Sequence, residues 1–428
     1  MDRIRIRGGR CLGGEVPISG SKNSALPILA ATILMDGPVL LRNVPRALKD
    51  IHNMLRILKS LGMAVNWTEG GDLEILKVEA VDKTIYCAPY ELVATMRASF
   101  VVLGPLWARR GVGSVSYPGG CVFGHRPVDL HLKGLEALGA QIDISNGYVT
   151  ASGPVRGGEV FLGGKYGSTV LGTANVVMAA CLAEGRSVIE FAAVEPEVVD
   201  LCNFLNVCGA RISGIGTHLL EIEGVDHLNG GEYAIVPDRI EAATFLTGAF
   251  MTNSPIAVTD VNPGHLRAVC DSLKAAGAVL EIGDDRITNL PTPDGKVTAV
   301  DVTTMPYPGF PTDIQAQFMA LMACADGVSV ITEKVYPDRF MHASELLRLG
   351  ARIRREGPSA IIEGTPNLLH GAPVMASDLR ASASLVLAGL VAQGHTDVRR
   401  VYHIDRGYEH IERKFRGLGA DIERIKEG

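Results

Sequence analysis

Apolar residues along the chain follow two alternating rhythms. Long runs of small apolar residues, at Ser24–Leu34, Ala98–Ala108, Leu171–Ala183, Ala242–Met251, Ala316–Ala325 and Ala381–Ala392, exceed strand length and read as helices buried on every side. After each comes a turn, a β-branched strand and a helix of another kind, apolar on one face only. In His52–Leu61 that face is Met54, Leu55, Leu58 and Leu61. The second helix ends in a small-residue corner and a strand: Leu61-Gly62-Met63, Leu138-Gly139-Ala140, Cys208-Gly209-Ala210, Ala276-Gly277-Ala278, Leu349-Gly350-Ala351 and Leu418-Gly419-Ala420. The corner glycines lie 77, 70, 68, 73 and 69 residues apart. The chain is therefore expected to hold six copies of a strand, helix, strand, helix, strand unit of about 70 residues.

Three such units fill one domain, so six predict an α/β protein of two similar domains. Asn229-Gly230-Gly231 marks a turn in the connection near Asn229–Pro237. A second crossing is expected near Ser19–Lys22, because the N-terminal strand Ile4–Arg7 precedes the first full unit and is available to close the last. The expected domains are residues 22–230, and residues 1–21 together with 231–428. Ligands of two-domain α/β proteins favour the cleft between domains, and the site is expected there.

Charge and cysteine usage narrow the class. With 41 basic and 47 acidic residues the net charge is -6, which offers no general attraction to nucleic acid or an anionic membrane, so any anion site must be local. Eight cysteines without a CxxC pair read as reduced thiols in a cytosolic protein. Met1–Arg7 alternates like an exposed strand and no export signal follows it. The longest apolar runs fall short of the roughly 20 residues that span a membrane.

Candidate chemistry gathers where the buried helices begin: Ser21-Lys22-Asn23, Met96-Arg97, Gly167-Ser168-Thr169, Asp238-Arg239, Thr312-Asp313 and Asp378-Leu379-Arg380. Ser21, Thr169, Thr312 and Asp378 read as N-caps. Lys22, Arg97, Arg239 and Arg380 instead oppose the helix dipole, which is unfavourable unless an anion sits there too. A second set, Arg126, Arg339 and Arg406, stands before the one-faced helices, either as a cleft wall or as surface ion pairs such as Asp338 with Arg339. The loop Tyr117–Pro127 lies in the longest repeat and carries Cys121 beside His125 and Arg126, a candidate acid or nucleophile. The other seven cysteines read as inert buried side chains. His342, His370, His395, His403 and His410 lack metal-ligand spacing and read as surface or hydrogen-bonded groups. No GxxxxGK[ST], HExxH or GxSxG occurs, and Gly111-Val112-Gly113 lacks a third glycine for a dinucleotide loop.

These segments, together with Thr95–Ser99, Pro118–Cys121, Arg126–Leu130, Pro237–Glu241, Phe310–Asp313, Asp338–His342, Ser377–Ser382 and His403–Tyr408, closely resemble the enolpyruvyl transferase family. The likeness is greater to the branch acting on UDP-N-acetylglucosamine than to the shikimate branch, which lacks the cysteine. It implies two inside-out, barrel-like α/β domains of three units each. It also implies transfer of the enolpyruvyl group of phosphoenolpyruvate to the sugar 3-hydroxyl, without metal or organic cofactor, in the cytoplasm, and sensitivity to fosfomycin. By the same resemblance Cys121 protonates C3 of phosphoenolpyruvate and Asp313 takes the hydroxyl proton. Lys22, Arg126 and Arg406 hold the phosphate, and Arg339 and Arg380 lie near the carboxylate. Asn23, Arg97, Arg126, Pro127, Val128, Asp129, Leu130, Asp313 and Val335 match the nucleotide-sugar site. Where many members have Lys-Val-Ser, this chain reads Gly167-Ser168-Thr169, leaving Ser168 and Thr169 as the matched hydroxyls with Lys165 nearby. The alternatives are another hydroxyl acceptor, such as shikimate 3-phosphate or a nucleotide, and a non-catalytic scaffold.

Overall fold

The computed structural model describes residues 2–70, 73–117 and 128–426. Among them are six four-stranded sheets of one design. In the sheet ordered Glu159–Phe161, Arg186–Glu190, Leu219–Glu223, Arg211–Ser213, the first two strands are parallel and the remaining pairings antiparallel. Helix Val170–Ala180 joins the parallel pair, and helix Pro196–Val207 leads to the hairpin. Each repeat thus has one strand more than the sequence pattern suggested. The corner strand is flagged by its glycine, whereas its return strand is a five-residue alternation with no capping signal. That return strand lies inside the sheet and ties the corner strand to the rest.

Contacts divide the chain into two compact units, Gly20–Val236 and Met1–Ser19 with Pro237–Gly428, each holding three of the sheets. In the first, Glu232–Ala234 pairs parallel to Val39–Arg42, so the chain leaves this unit after Val236 rather than after residue 230. In the second, Arg3–Arg7 lies between His395–Arg399 and Asp421–Ile425, antiparallel to both. Gly14–Pro17 runs parallel to Ile256–Thr259.

Within each unit the small-residue helices are internal and the sheets flank them, the inside-out arrangement. Lys22–Ala31, Val170–Ala180, Arg239–Met251, Gln315–Ala323 and Leu379–Val391 are buried along nearly their whole length. Glycine permits the closest approaches: a Cβ on Gly389 would come within 2.9 Å of Ile6. The one-faced helices behave as their pattern requires, Lys49–Ser60 burying Ile51, Met54, Leu55, Ile57 and Leu58. Ala98–Ala108 is not one helix but a 3-10 turn, Arg97–Val102, followed by helix Leu103–Arg110. Pro105 explains the break, since it has no N–H to donate and its ring excludes the carbonyl of residue 101 from a continuous α-helix.

Candidate active site

In the unit that contains both termini, the site is built around Asp313, in the 3-10 turn Thr312–Ile314 that opens helix Gln315–Ala323. Arg339 Nη1 donates to Asp313 Oδ1 at 2.7 Å and to Thr312 Oγ1 at 3.0 Å, and Arg380 Nη2 donates to Asp313 Oδ2 at 3.1 Å. Both guanidiniums are buried, Arg380 to 2% exposure. Burial is the largest influence and opposes their charge, but Asp313 together with Asp378 at Arg339, and with Tyr408 and Asp238 at Arg380, outweighs it, so both stay above the ordinary arginine value. Among the described residues, Nε and Nη1 of Arg380 have no hydrogen-bond partner, and both are sealed from solvent. Its ring of neighbours includes Tyr408, over which the guanidinium sits at 5.4 Å.

Glu333, which the sequence reading missed, positions this cluster. Its carboxylate accepts from Thr312 Oγ1 at 2.8 Å, Thr304 Oγ1 at 2.6 Å, and the backbone N–H groups of Val335 and Tyr336 at 2.8 Å each. Those bonds fix the turn that carries Val335 and Arg339. Thr312 therefore spends its hydroxyl on Glu333 rather than on capping. Asp378 does cap its helix, accepting from the N–H groups of Arg380 and Ala381. Asp338 pairs with Arg355 at 2.8 Å and not with Arg339. Arg406 ends the 3-10 turn Val401–Arg406, half-buried, beside Asp405, which pairs with Arg424.

In the unit Gly20–Val236, Lys22 opens its helix buried, with Nζ 3.2 Å from Asp50 Oδ2, itself 2% exposed. Asn23 is half-buried. Ser24 and Tyr233 donate to buried Asp200, whose carboxyl burial pushes upward. Ser21 makes no cap and its buried hydroxyl has no partner among the described residues, whereas Thr169 caps by accepting from Gly172 N–H at 3.2 Å. Gly167 follows a tight turn closed by Gly164 and has φ +101°, a conformation that disfavours any side chain. Ser168 is half-buried. Val128 is buried, Leu130 half-buried and Asp129 exposed at the start of helix Asp129–Ala137. Burial, with Arg97 adding to it, pushes His131 down to about 3, and Asn175 Nδ2 donates to His131 Nδ1 at 3.1 Å. Cys121, Arg126 and Pro127 lie outside the described residues.

Other expectations are corrected. Cys11 and Cys87 are exposed, because each sits in a strand-edge or loop position rather than in a helix core. His342 is buried, and among the described residues its Nε2 has no hydrogen-bond partner, so it is neither a surface group nor a hydrogen-bonded one at that nitrogen. Among the described residues no group of three metal-ligating side chains converges, and no helix is long and apolar enough to cross a membrane.

The family model for EPSP synthase (3-phosphoshikimate 1-carboxyvinyltransferase) matches residues 6–415. The UDP-N-acetylglucosamine 1-carboxyvinyltransferase of Methylacidiphilum infernorum is 54% identical over 426 residues, 99% of each chain. That of Xylella fastidiosa (strain 9a5c) is 51% identical over 430 residues, 99% of this chain and 100% of the relative. Among solved structures, the enolpyruvyl transferase NikO from Streptomyces tendae is similar at TM-score 0.87 and 25% identity, over 100% of this chain and 99% of that one. EPSP synthase from Acinetobacter baumannii shares the fold at TM-score 0.75 and 19% identity over the whole of both chains. Matches of this length and identity mean that the chain belongs to the EPSP synthase family of enolpyruvyl transferases and, within it, to the UDP-N-acetylglucosamine 1-carboxyvinyltransferases.

Proposed function

We infer that the chain is a transferase that moves the enolpyruvyl group of phosphoenolpyruvate to the 3-hydroxyl of UDP-N-acetylglucosamine and releases phosphate. The observation that carries the chemistry is Asp313 gripped by Arg339 and buried Arg380, whose Nε and Nη1 have no hydrogen-bond partner among the described residues. Buried donors left unsatisfied cost about 1–3 kcal/mol, a cost that a bound carboxylate removes. As an incoming carboxylate takes over the guanidiniums, Asp313 loses its grip on them and its oxygen becomes available to the sugar hydroxyl.

In this reading Cys121 delivers a proton to C3, which makes C2 electron-poor, and Asp313 removes the hydroxyl proton as the sugar oxygen bonds to C2. The tetrahedral adduct then loses a C3 proton and breaks the C2–O bond to phosphate, restoring the double bond. Lys22, Arg126 and Arg406 neutralise the departing phosphate. Asn23, Arg97, Arg126 to Leu130, Ser168, Thr169 and Val335 are assigned to the nucleotide sugar. The reaction fits a first committed step of cell-wall precursor synthesis in the cytoplasm, in keeping with free thiols at the seven described cysteines. No contact with nucleic acid or membrane is proposed.

Phosphate release from phosphoenolpyruvate, with and without UDP-N-acetylglucosamine, tests the assignment. Release that needs the nucleotide sugar supports it, and release with shikimate 3-phosphate instead would transfer the chain to the other branch. For Cys121, intact mass after incubation with fosfomycin and nucleotide sugar should show one adduct that Cys121→Ser lacks. An unmodified wild-type chain removes the thiol from the mechanism.

A further inference from the structure

Three buried helices of the unit that contains both termini each bring one polar side chain to a single residue, Tyr408, which is 1% exposed. Thr244 comes from helix Arg239–Met251, Gln317 from Gln315–Ala323 and Arg380 from Leu379–Val391. Tyr408 stands two positions after Arg406 and ties that segment down by donating its backbone N–H to Ile404 O at 3.0 Å. Gly407 lets the segment lie against the start of the Arg380 helix, since a Cβ there would come within 2.5 Å of Leu379.

Proton accounting gives the network a direction. Thr244 spends its one hydroxyl proton on Ile240 O at 2.8 Å, so Tyr408 is the donor in the 2.9 Å bond between the two hydroxyl oxygens. Burial pushes the phenol above its ordinary value, which keeps that proton in place. The phenol oxygen in turn accepts from Gln317 Nε2 at 3.2 Å, and the same amide nitrogen donates to the backbone carbonyl of Asp313 at 3.1 Å. A carbonyl can only accept, so the amide is held with its nitrogen toward Asp313. Its oxygen is thereby left buried, with no hydrogen-bond partner among the described residues. An unpartnered buried acceptor is destabilising, so stability alone does not account for a glutamine here, whereas holding the Asp313 turn does.

The ring of Tyr408 has a separate use. Arg380 Cζ lies 5.4 Å from its centroid, so the aromatic face supports the guanidinium whose Nη2 reaches Asp313. The hydroxyl therefore acts on Asp313 through Gln317, and the ring acts on Arg380 directly.

We propose that Tyr408 is a positioning residue for the transfer, its hydroxyl setting the Asp313 turn through Gln317 and its ring setting the Arg380 guanidinium. This rests on the roles given to Asp313 and Arg380 above and adds a part for two residues, Tyr408 and Gln317, that the resemblance left unassigned.

Steady-state phosphate release by the full chain with UDP-N-acetylglucosamine separates the two halves. Tyr408→Phe keeps the ring and drops the hydroxyl, so kcat should fall about ten-fold while the KM for phosphoenolpyruvate stays unchanged. Tyr408→Leu loses the ring as well and should also raise that KM about ten-fold. Gln317→Met keeps the volume without the amide and should reproduce the kcat loss of Tyr408→Phe. The double variant should be no slower than either single one, because both break the same path to Asp313. Thermal unfolding of each variant identifies the folded ones, and Gln317→Met decides the question if Tyr408→Phe does not fold. Wild-type kcat in a folded Tyr408→Phe or Gln317→Met, or losses that multiply in the double variant, overturns the positioning role and leaves the enzyme assignment standing. A wild-type chain without nucleotide-sugar-dependent release overturns the functional reading, and the positioning role falls with it.

Discussion

The two units place a cation at the same point of the repeat, the start of a buried helix, and neutralise it differently. Lys22 meets Asp50 in a buried ion pair. Asp313 instead bridges two buried guanidiniums, those of Arg339 and Arg380, and among the described residues Nε and Nη1 of Arg380 have no hydrogen-bond partner. A lysine held by a carboxylate admits an anion only by loosening that pair. A carboxylate shared by two arginines leaves guanidinium donors over, which is the condition for holding a substrate carboxylate.

The strongest way to break this contrast is Asp313→Asn. It removes the proposed base and leaves two buried guanidiniums without their shared carboxylate, so kcat for nucleotide-sugar-dependent phosphate release should fall about 1000-fold. Unchanged turnover in a folded variant would end the assignment of Asp313. Arg380→Lys keeps the charge and loses the planar fork. The expected loss is about 100-fold in kcat/KM for phosphoenolpyruvate, with little change in affinity for the nucleotide sugar. In the Lys22–Asp50 pair, Asp50→Asn removes the carboxylate beside a buried ammonium and should cost about 3 kcal/mol in urea unfolding, with a raised KM for phosphoenolpyruvate. A variant as stable as the wild type would mean that Lys22 is held by other groups.

The mildest effect comes from pH and again compares the units, each of which buries one neutral histidine. His131 is pushed down to about 3, by burial first and then by Arg97. His342 is also lowered, by burial, with Asp378 pulling back and Arg339 adding to the depression. Because the unfolded chain protonates first, near pH 6.5, the stability from a neutral buried histidine is complete above that pH and declines as pH falls toward the folded value. Between pH 6 and 5 each histidine should cost about 1 kcal/mol, read as a lower unfolding midpoint. His131→Gln should flatten the slope, and an unaltered slope would assign acid sensitivity to other groups.

Much of this was legible along the chain. The corner glycines at 62, 139, 209, 277, 350 and 419 all have positive φ, as their helix-ending role demands, and each buried run became a helix or a 3-10 turn followed by one. Pro105 was visible too, yet its effect on the Ala98–Ala108 run was overlooked. The candidate site was half legible. Asp313, Arg339 and Arg380 stood out by residue type and position, while Glu333 sits after an ordinary strand, Gly327–Thr332, and nothing local distinguishes it from a surface carboxylate. Cys121 and Arg126 stood out in the glycine-rich loop Tyr117–Pro127, and their roles come from the resemblance, since both lie outside the described residues.

By itself, then, the sequence determined the repeat, the helix ends and the places where cations oppose a helix dipole, because periodicity and capping act over a few residues. Only the tertiary structure decided which carboxylate each cation meets: Asp50 for Lys22 across 28 positions, Asp313 for Arg380 across 67, Asp397 for Arg5 across 392. It alone also brought Phe161, Phe191 and His218 side by side. Pairing of charges and rings depends on distance in space, and a chain that returns through six sheets brings together residues whose order along it carries no record of that distance.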